Sequence, residues 1–244
     1  MLNIYLIRHG QTDMNITHML QGRSDTVLND TGRSEALQAK LRLDEMGIRA
    51  DVVFSSPLER AYETAQIISG GSDCDILKDD RLIEMSFGQD EGKKLEDLPE
   101  DFLYHFRSDT AGYIPPEGGE TFLEVRKRTS GFLRELHDTY SSFISKDDTG
   151  KNITIFVYSH GAAINSMLNF VNSEDITLFW DHRVGNASAN LIQGVPYDKC
   201  GSGYKFIENI SVPGAGEIYV TSLSPREEKP KGRGLIGKLK DIAR

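Results

Sequence analysis

Two histidines stand in matching contexts, Ile7-Arg8-His9-Gly10 and Tyr158-Ser159-His160-Gly161. Each follows an apolar run and precedes a glycine. A neutral imidazole is a competent nucleophile near pH 7 and also a hydrogen-bond donor. Taken singly, either His-Gly reads equally well as a turn histidine bonded to backbone. As a pair at the ends of two strands, they point to chemistry. Arg60 follows a strand-to-helix turn, Ser55-Ser56-Pro57-Leu58. A helix N-terminus attracts anions, and Arg60 and Arg8 add guanidinium donors suited to phosphate oxygens. The other reading of Arg60 is a surface residue paired along its helix. Glu84 interrupts the apolar stretch Leu82-Ile83-Glu84-Met85. Apolar surroundings would raise the pKa of its carboxyl and suit it to donating a proton; the other reading is an exposed glutamate.

The elements needed to position these groups can be read from the pattern. Leu2–Ile7 is a short strand. Residues 31–46 form a helix with Ala36, Leu37, Leu41 and Met46 near one face, stopped at Gly47. Residues 51–55 form a second strand, leading to a helix with Ser56 as N-cap, Pro57 at N1 and Glu59 as capping-box partner. That helix ends before Gly70. Residues 85–120 are irregular. A longer helix spans about 121–143, and 153–158 is a near-continuous apolar strand suited to a central position. A helix follows to about Phe170, with shorter strands at 187–192, 204–210 and 217–220. Strand and helix signals alternate, which predicts a single α/β domain with a mostly parallel central sheet flanked by helices. In such a sheet both histidines lie at carboxyl ends of strands, where ligands bind.

Bulk properties narrow the function. The 244 residues are 38% hydrophobic and 27% charged, with mean hydropathy −0.40. The apolar content supports a sizeable core. No apolar run is long enough for a membrane span, and the N-terminal residues read as a strand and not a leader, so a cytoplasmic location is expected. The net charge of −9 argues against nucleic acid as partner. Two cysteines, Cys74 and Cys200, are too few for a disulfide framework. No Cys/His spacing suggests zinc, so neither metal nor cofactor is expected.

The charge is uneven. Residues 226–244 carry seven Lys/Arg against three Asp/Glu, a local +4, which leaves −13 on the rest. Pro225, Pro230, Gly232 and Gly234 mark a flexible linker. The residues after it place Leu235, Ile236, Leu239, Ile242 and Ala243 on one side of a short basic helix. The expected division is a catalytic domain over 1–224 and a linker with a basic amphipathic tail over 225–244. The tail is suited to docking on an acidic surface, either of this protein or of a lipid or protein target.

An ordered set of motifs resembles the histidine phosphatase superfamily, also called the phosphoglycerate mutase-like family. The motifs are Arg8-His9-Gly10-Gln11-Thr12-x-x-Asn15, Gln21-Gly22-x-x-Asp25, Ser55-Ser56-Pro57-Leu58-x-Arg60-Ala61, Glu84-x-x-Phe87-Gly88, Pro116-x-Gly118-Gly119-Glu120-Thr121 and Ser159-His160-Gly161. The resemblance implies a metal-independent phosphatase acting on a small phosphorylated metabolite. It implies His9 as nucleophile, and Arg8, Arg60 and His160 as the phosphate pocket. Asn15, Gln21, Gly22 and Gly161 would add substrate contacts, and Glu84 would act as acid and then base. Gln11 stands where many members carry glutamate. In mutases of the family the acid is followed by Arg-His-Tyr-Gly and a lid supplies paired arginines. Here Met85-Ser86-Phe87-Gly88 follows Glu84, and residues 89–120 hold only Lys93, Lys94 and Arg107 as Lys/Arg. Phosphatase is therefore favoured over the alternative, a phosphoglycerate mutase-type phosphotransferase, and over a non-catalytic phosphate-binding scaffold. Substrate choice is assigned to 85–120, to Trp180-Asp181-His182-Arg183 and to Asn186-Ala187-Ser188. There His182 and Arg183 either meet a second anion or lie in a solvated loop.

Overall fold

The apolar run that opens the chain forms strand β1 (Leu2–Arg8). After it come α1 (Asp13–Ile16), α2 (Asp30–Glu45), β2 (Val52–Ser55), α3 (Glu59–Ser69) and β3 (Ile76–Lys78). The second half contributes α4 (Glu100–Ser108), α5 (Phe122–Thr139), β4 (Ile153–Ser159), α6 (Gly161–Asn172), β5 (Ala189–Gly194) and β6 (Tyr204–Ile210). The structure is a computed structural model and describes residues 1–70, 75–144, 152–173, 175–182 and 184–211. The strand expected at 217–220 and the basic tail lie outside the described residues.

The six strands form one sheet in the order β3-β2-β4-β1-β5-β6. Its β3-β2-β4-β1 part is parallel, and β5 and β6 add antiparallel at one side. The apolar strand β4 is central, as its composition predicts. Alternation along β1 divides the core between the two faces of the sheet. Leu2, Ile4 and Leu6 join Leu133, Leu136, Ile164 and Met167 of α5 and α6. Tyr5 and Ile7 join Ala36, Ala39, Ala65 and Ile68 of α2 and α3. A third apolar cluster, including Met85, Phe87, Phe106 and Phe122, builds the region beyond the carboxyl ends of the strands.

Three expectations are corrected. Helix α2 spans the predicted residues, but it buries Gly32, Glu35, Ala36, Ala39 and Leu43, while Leu37, Leu41 and Met46 are exposed. The cause is a close approach: a Cβ on Gly10 would stand 2.3 Å from the Gly32 carbonyl oxygen. The small-residue face must turn inward, and Glu35 follows because its Oε2 accepts from the Gln11 N–H (2.8 Å). Second, Ser56 does not cap α3. The helix begins at Glu59, and Asp25 Oδ1 takes the Glu59 N–H (2.7 Å). Third, residues 85–120 are not wholly irregular. Helix α4 forms there and buries Phe106 in the third cluster.

Candidate active site

Strands β1 and β4 are adjacent and parallel, and their register pairs Arg8 with Ser159. The next residue of each strand is a histidine, so His9 and His160 emerge at the same level. Their ring centroids are 5.2 Å apart. The peptide of His9 is held on both sides: its N–H donates to the Ser159 carbonyl (3.1 Å) and its carbonyl accepts from Ala187 (3.2 Å). The ring is fixed as well. Nδ1–H donates to the Gly10 carbonyl (2.7 Å), which leaves the Nε2 lone pair available. His160 Nε2 lies 2.8 Å from Ser56 Oγ.

Both histidines are buried, His9 at 2% exposure and His160 at 0%. Burial, reinforced by the charges of Arg8 and Arg60, holds the pKa of each imidazole well below its ordinary value. Both are therefore neutral at pH 7. The arginines are buried too, and desolvation lowers each to about 10 against the opposing pull of Glu84. Each remains a cation. Arg60 donates Nη1–H to the Ser24 carbonyl (2.7 Å) and Nη2–H to the Gly22 carbonyl (2.8 Å). Arg8 donates Nη1–H to the Val184 carbonyl (3.2 Å). Arg8 Nε, Arg60 Nε and His160 Nδ1 are buried with no hydrogen-bond partner among the described residues. Leaving one such group unsatisfied costs about 1–3 kcal/mol, more if charged. An anion accepting from them would remove that cost.

The remaining site residues are placed by local hydrogen bonds. Thr12 and Asn15 form a reciprocal capping box on α1, with Thr12 N–H donating to Asn15 Oδ1 (3.0 Å). Gln21 Oε1 accepts from Thr12 and Thr26 hydroxyls, both at 2.9 Å. Gly22 has φ +52°, and a Cβ there would stand 2.2 Å from Glu91 Oε1. Two of the amides at the start of α3 predicted to face an anion are already occupied: Leu58 N–H donates to Ser56 Oγ (3.3 Å) and Glu59 N–H to Asp25. Glu84 is not set in the purely apolar surroundings expected of it. Its carboxyl accepts from three backbone amides: Met85 (2.8 Å), Ala162 (3.2 Å) and Ala163 (3.1 Å), the last two from the first turn of α6.

Arg8, His9, Asn15, Gln21, Gly22, Arg60, Glu84 and Gly161 all line one pocket of about 350 Å³, and Trp180 and Asn186 line it as well. The structure thus brings the predicted set together, with His160 beside His9 (ring centroids 5.2 Å apart) although it does not itself line the pocket. His182 is not at this pocket. It accepts from Asn172 Nδ2 (2.8 Å) and packs on Phe206; Arg183 lies outside the described residues. Three neighbours were missed by the sequence reading. Ser56 touches His160. Glu91 accepts from Arg23, Ser24 and Phe87 and so braces the Gly22 loop. Arg128 donates to the carbonyls of Arg81 (2.8 Å), Ile83 (2.7 Å) and Glu84 (3.1 Å). Nothing in the sequence separates Arg128 from the solvated charges around it on α5. No group of three or more His, Cys, Asp or Glu residues able to hold a metal ion occurs among the described residues.

A mostly parallel sheet with two neutral histidines, two buried arginines and a carboxylate at the carboxyl ends of its strands defines a phosphoryl-handling α/β protein. A model of the histidine phosphatase superfamily (branch 1) matches residues 4–200, and the chain belongs to that superfamily. Phosphoserine phosphatase 1 of Hydrogenobacter thermophilus is 30% identical over 195 residues, covering 79% of this chain and 86% of its own. A probable phosphoglycerate mutase of Escherichia fergusonii is 32% identical over 177 residues, 70% of this chain and 75% of its own. The fold is also that of a phosphoserine phosphatase mutant from Entamoeba histolytica, solved in complex with phosphoserine. The TM-score is 0.70 at 26% identity, over 87% of this chain and 98% of that one.

Proposed function

We propose that this chain is a phosphatase that hydrolyses small phosphate monoesters through a phosphohistidine on His9, with no metal ion in the reaction. One observation carries the reading most directly. Buried Nε–H donors without protein partners on Arg8 and Arg60, and the equally unpartnered Nδ1 of His160, accompany a neutral His9 whose Nε2 is unprotonated.

In this mechanism His9 Nε2 attacks phosphorus in line with the bond to the alcohol oxygen. The P–N bond forms as the P–O bond breaks, and Glu84 delivers a proton to the leaving alkoxide. Charge spread over the three non-bridging oxygens is met by Arg8, Arg60 and His160, held in place before the substrate arrives. Ser56 assists through tautomer choice. Its oxygen accepts from Leu58 N–H, its own proton goes to His160 Nε2, and His160 Nδ1–H then donates to a phosphoryl oxygen. Water attacks the phosphohistidine, Glu84 takes its proton, the P–N bond breaks, and phosphate leaves. Asn15, Gln21, Gly22 and Gly161 contact the transferring group. The alternative, a phosphoglycerate mutase-type transfer, gains its support from the Escherichia fergusonii relative. It requires the phosphohistidine to be shielded from water until an acceptor alcohol arrives.

The test is a rapid-quench experiment with p-nitrophenyl phosphate in the presence of EDTA. Wild type is expected to turn over and to carry acid-labile phosphate on His9. His9→Ala is expected to do neither while keeping its circular dichroism. Turnover by His9→Ala at the wild-type rate would end the phosphohistidine mechanism. Strict dependence on a divalent ion would count equally against the reaction as written.

A further inference from the structure

Arg8, Arg60 and the two histidines account for the phosphate, but much of the same pocket is lined by side chains of another kind. Met14, Met19 and Leu20 come from α1 and the segment after it, and Phe87, Phe106 and Trp180 come from the third apolar cluster. The aromatic part is built firmly. Phe106 meets Trp180 with ring centroids at 5.1 Å and Phe87 at 5.4 Å, both edge to face. The indole N–H of Trp180 is already spent on the Phe106 carbonyl (2.6 Å), so what Trp180 has left to offer is ring surface. The thioethers of Met14 and Met19 are unbranched and polarizable, and adapt to ligands of different outline. His18 and Gln11 also line this pocket, while the nearby fixed charges of Lys93 and Arg23 are engaged elsewhere. Lys93 pairs with Asp90 (2.6 Å), and Arg23 with Glu120 (2.9 Å). A carboxylate or ammonium on the substrate would have to shed water against methionine and aromatic carbon, which is unfavourable without a partner.

We propose that the alcohol portion of the preferred substrate is an apolar alkyl or arylalkyl group several carbons long. An amino acid or sugar acid such as the relatives' names describe fits this wall less well. The inference rests on the assignment of the phosphate site above and adds the identity of the leaving group. The alcohol leaves from phosphorus into the space between Glu84 and the apolar wall, both of which line the same pocket.

A homologous series tests this without confusing binding with leaving-group chemistry, because n-alkyl phosphates from ethyl to hexyl differ little in alcohol acidity. The kcat/KM for phosphate release is expected to rise about threefold to fourfold per methylene until the wall is covered. Hexyl phosphate is then expected to exceed both O-phospho-L-serine and 3-phosphoglycerate by at least about tenfold, by the same increments. The non-hydrolysable n-alkylphosphonates, titrated calorimetrically, are expected to show the same rise in affinity. Met14→Lys, checked by circular dichroism, is expected to flatten the series and to raise the relative rate on 3-phosphoglycerate. A flat or falling series, or phosphoserine preferred over hexyl phosphate, would overturn the apolar assignment and leave the phosphatase intact. Phosphonates that bind more tightly with length in a protein that hydrolyses no monoester would support the apolar wall and overturn the phosphatase.

Discussion

At the scale of single residues, burial of His9 and His160 has two consequences of opposite practical sign. Because both pKa values are depressed, chiefly by desolvation, the nucleophile stays neutral below pH 6.5. The acid limb of the kcat/KM profile is therefore not expected to turn at the pKa of an ordinary histidine. Stability behaves differently. In the unfolded chain each imidazole takes up a proton near pH 6.5, whereas the folded protein resists it. Their contribution is complete above pH 6.5 and is lost as pH falls toward the depressed folded-state values. The slope is about 1.4 kcal/mol per pH unit for each histidine. Urea unfolding at pH 7.5, 6.5 and 5.5 measures it, and His9→Gln is expected to reduce the slope below pH 6.5 by one histidine's share, about 1.4 kcal/mol per pH unit, leaving the contributions of His160 and His182. Equal slopes for the variant and wild type would show that His9 is protonated in the folded state. Glu84 permits a separate test. General acid help is worth ~10²–10⁴-fold, so Glu84→Gln is expected to lose that much on alkyl phosphates and less on p-nitrophenyl phosphate, whose leaving group needs no proton. Equal losses on both would mean that Glu84 orients substrate and transfers no proton.

At the scale of elements, the site depends on segments that have no regular structure of their own. The loop carrying Gly22 is drawn to α3 by Arg60 and capped onto it through Asp25. The segment carrying Glu84 is held by Arg128, whose guanidinium also pairs with Glu120. Arg128 does not itself line the pocket and reaches it only through the backbone of the Glu84 segment, so it is a positioning residue. Arg128→Met leaves three carbonyls short of a donor and is expected to destabilise by about 2–4 kcal/mol. It is also expected to lower kcat toward alkyl phosphates with little change in KM. Thermal unfolding and steady-state kinetics on one preparation decide this; a lowered kcat with an unchanged Tm would put Arg128 in contact with substrate. These ties also explain which parts were legible in the sequence. His9 and His160 could be read because each ends an apolar strand, and pairing of those strands carries both to one place. Ser56 reads as a cap from sequence because Ser-Pro before a helix usually is one. Its partner His160 is 104 residues away, and only the β2–β4 pairing brings them together. The buried face of α2 was misread for a similar reason. Leucine spacing within a helix does not record that a glycine–glycine approach from another strand-to-helix turn will set its rotation.

At the scale of the whole molecule, the chain divides by charge and by what each part contributes to the pocket. Among the described residues, those that line it run from Arg8 to Asn186, and the superfamily match ends at residue 200. None of the described helices is long and apolar enough to cross a membrane. The tail, outside the described residues, is understood from its sequence alone: a Pro- and Gly-marked linker from 225, then about ten residues with apolar and basic sides. The rest of the chain carries −13, and docking of these residues on that acidic surface is a proposal from charge alone. If that division at 224 is right, truncation after Ser224 keeps every described pocket residue and leaves hydrolysis of a small soluble phosphate within a few-fold of wild type. It should also make any association of the full chain with itself less sensitive to salt, because screening weakens contacts between exposed charges. Sedimentation of both forms at low and high ionic strength, alongside their kcat/KM values, separates the two roles. A collapse of turnover in a truncated protein that still folds would place the tail at the active site and move the boundary of the catalytic unit to the end of the chain.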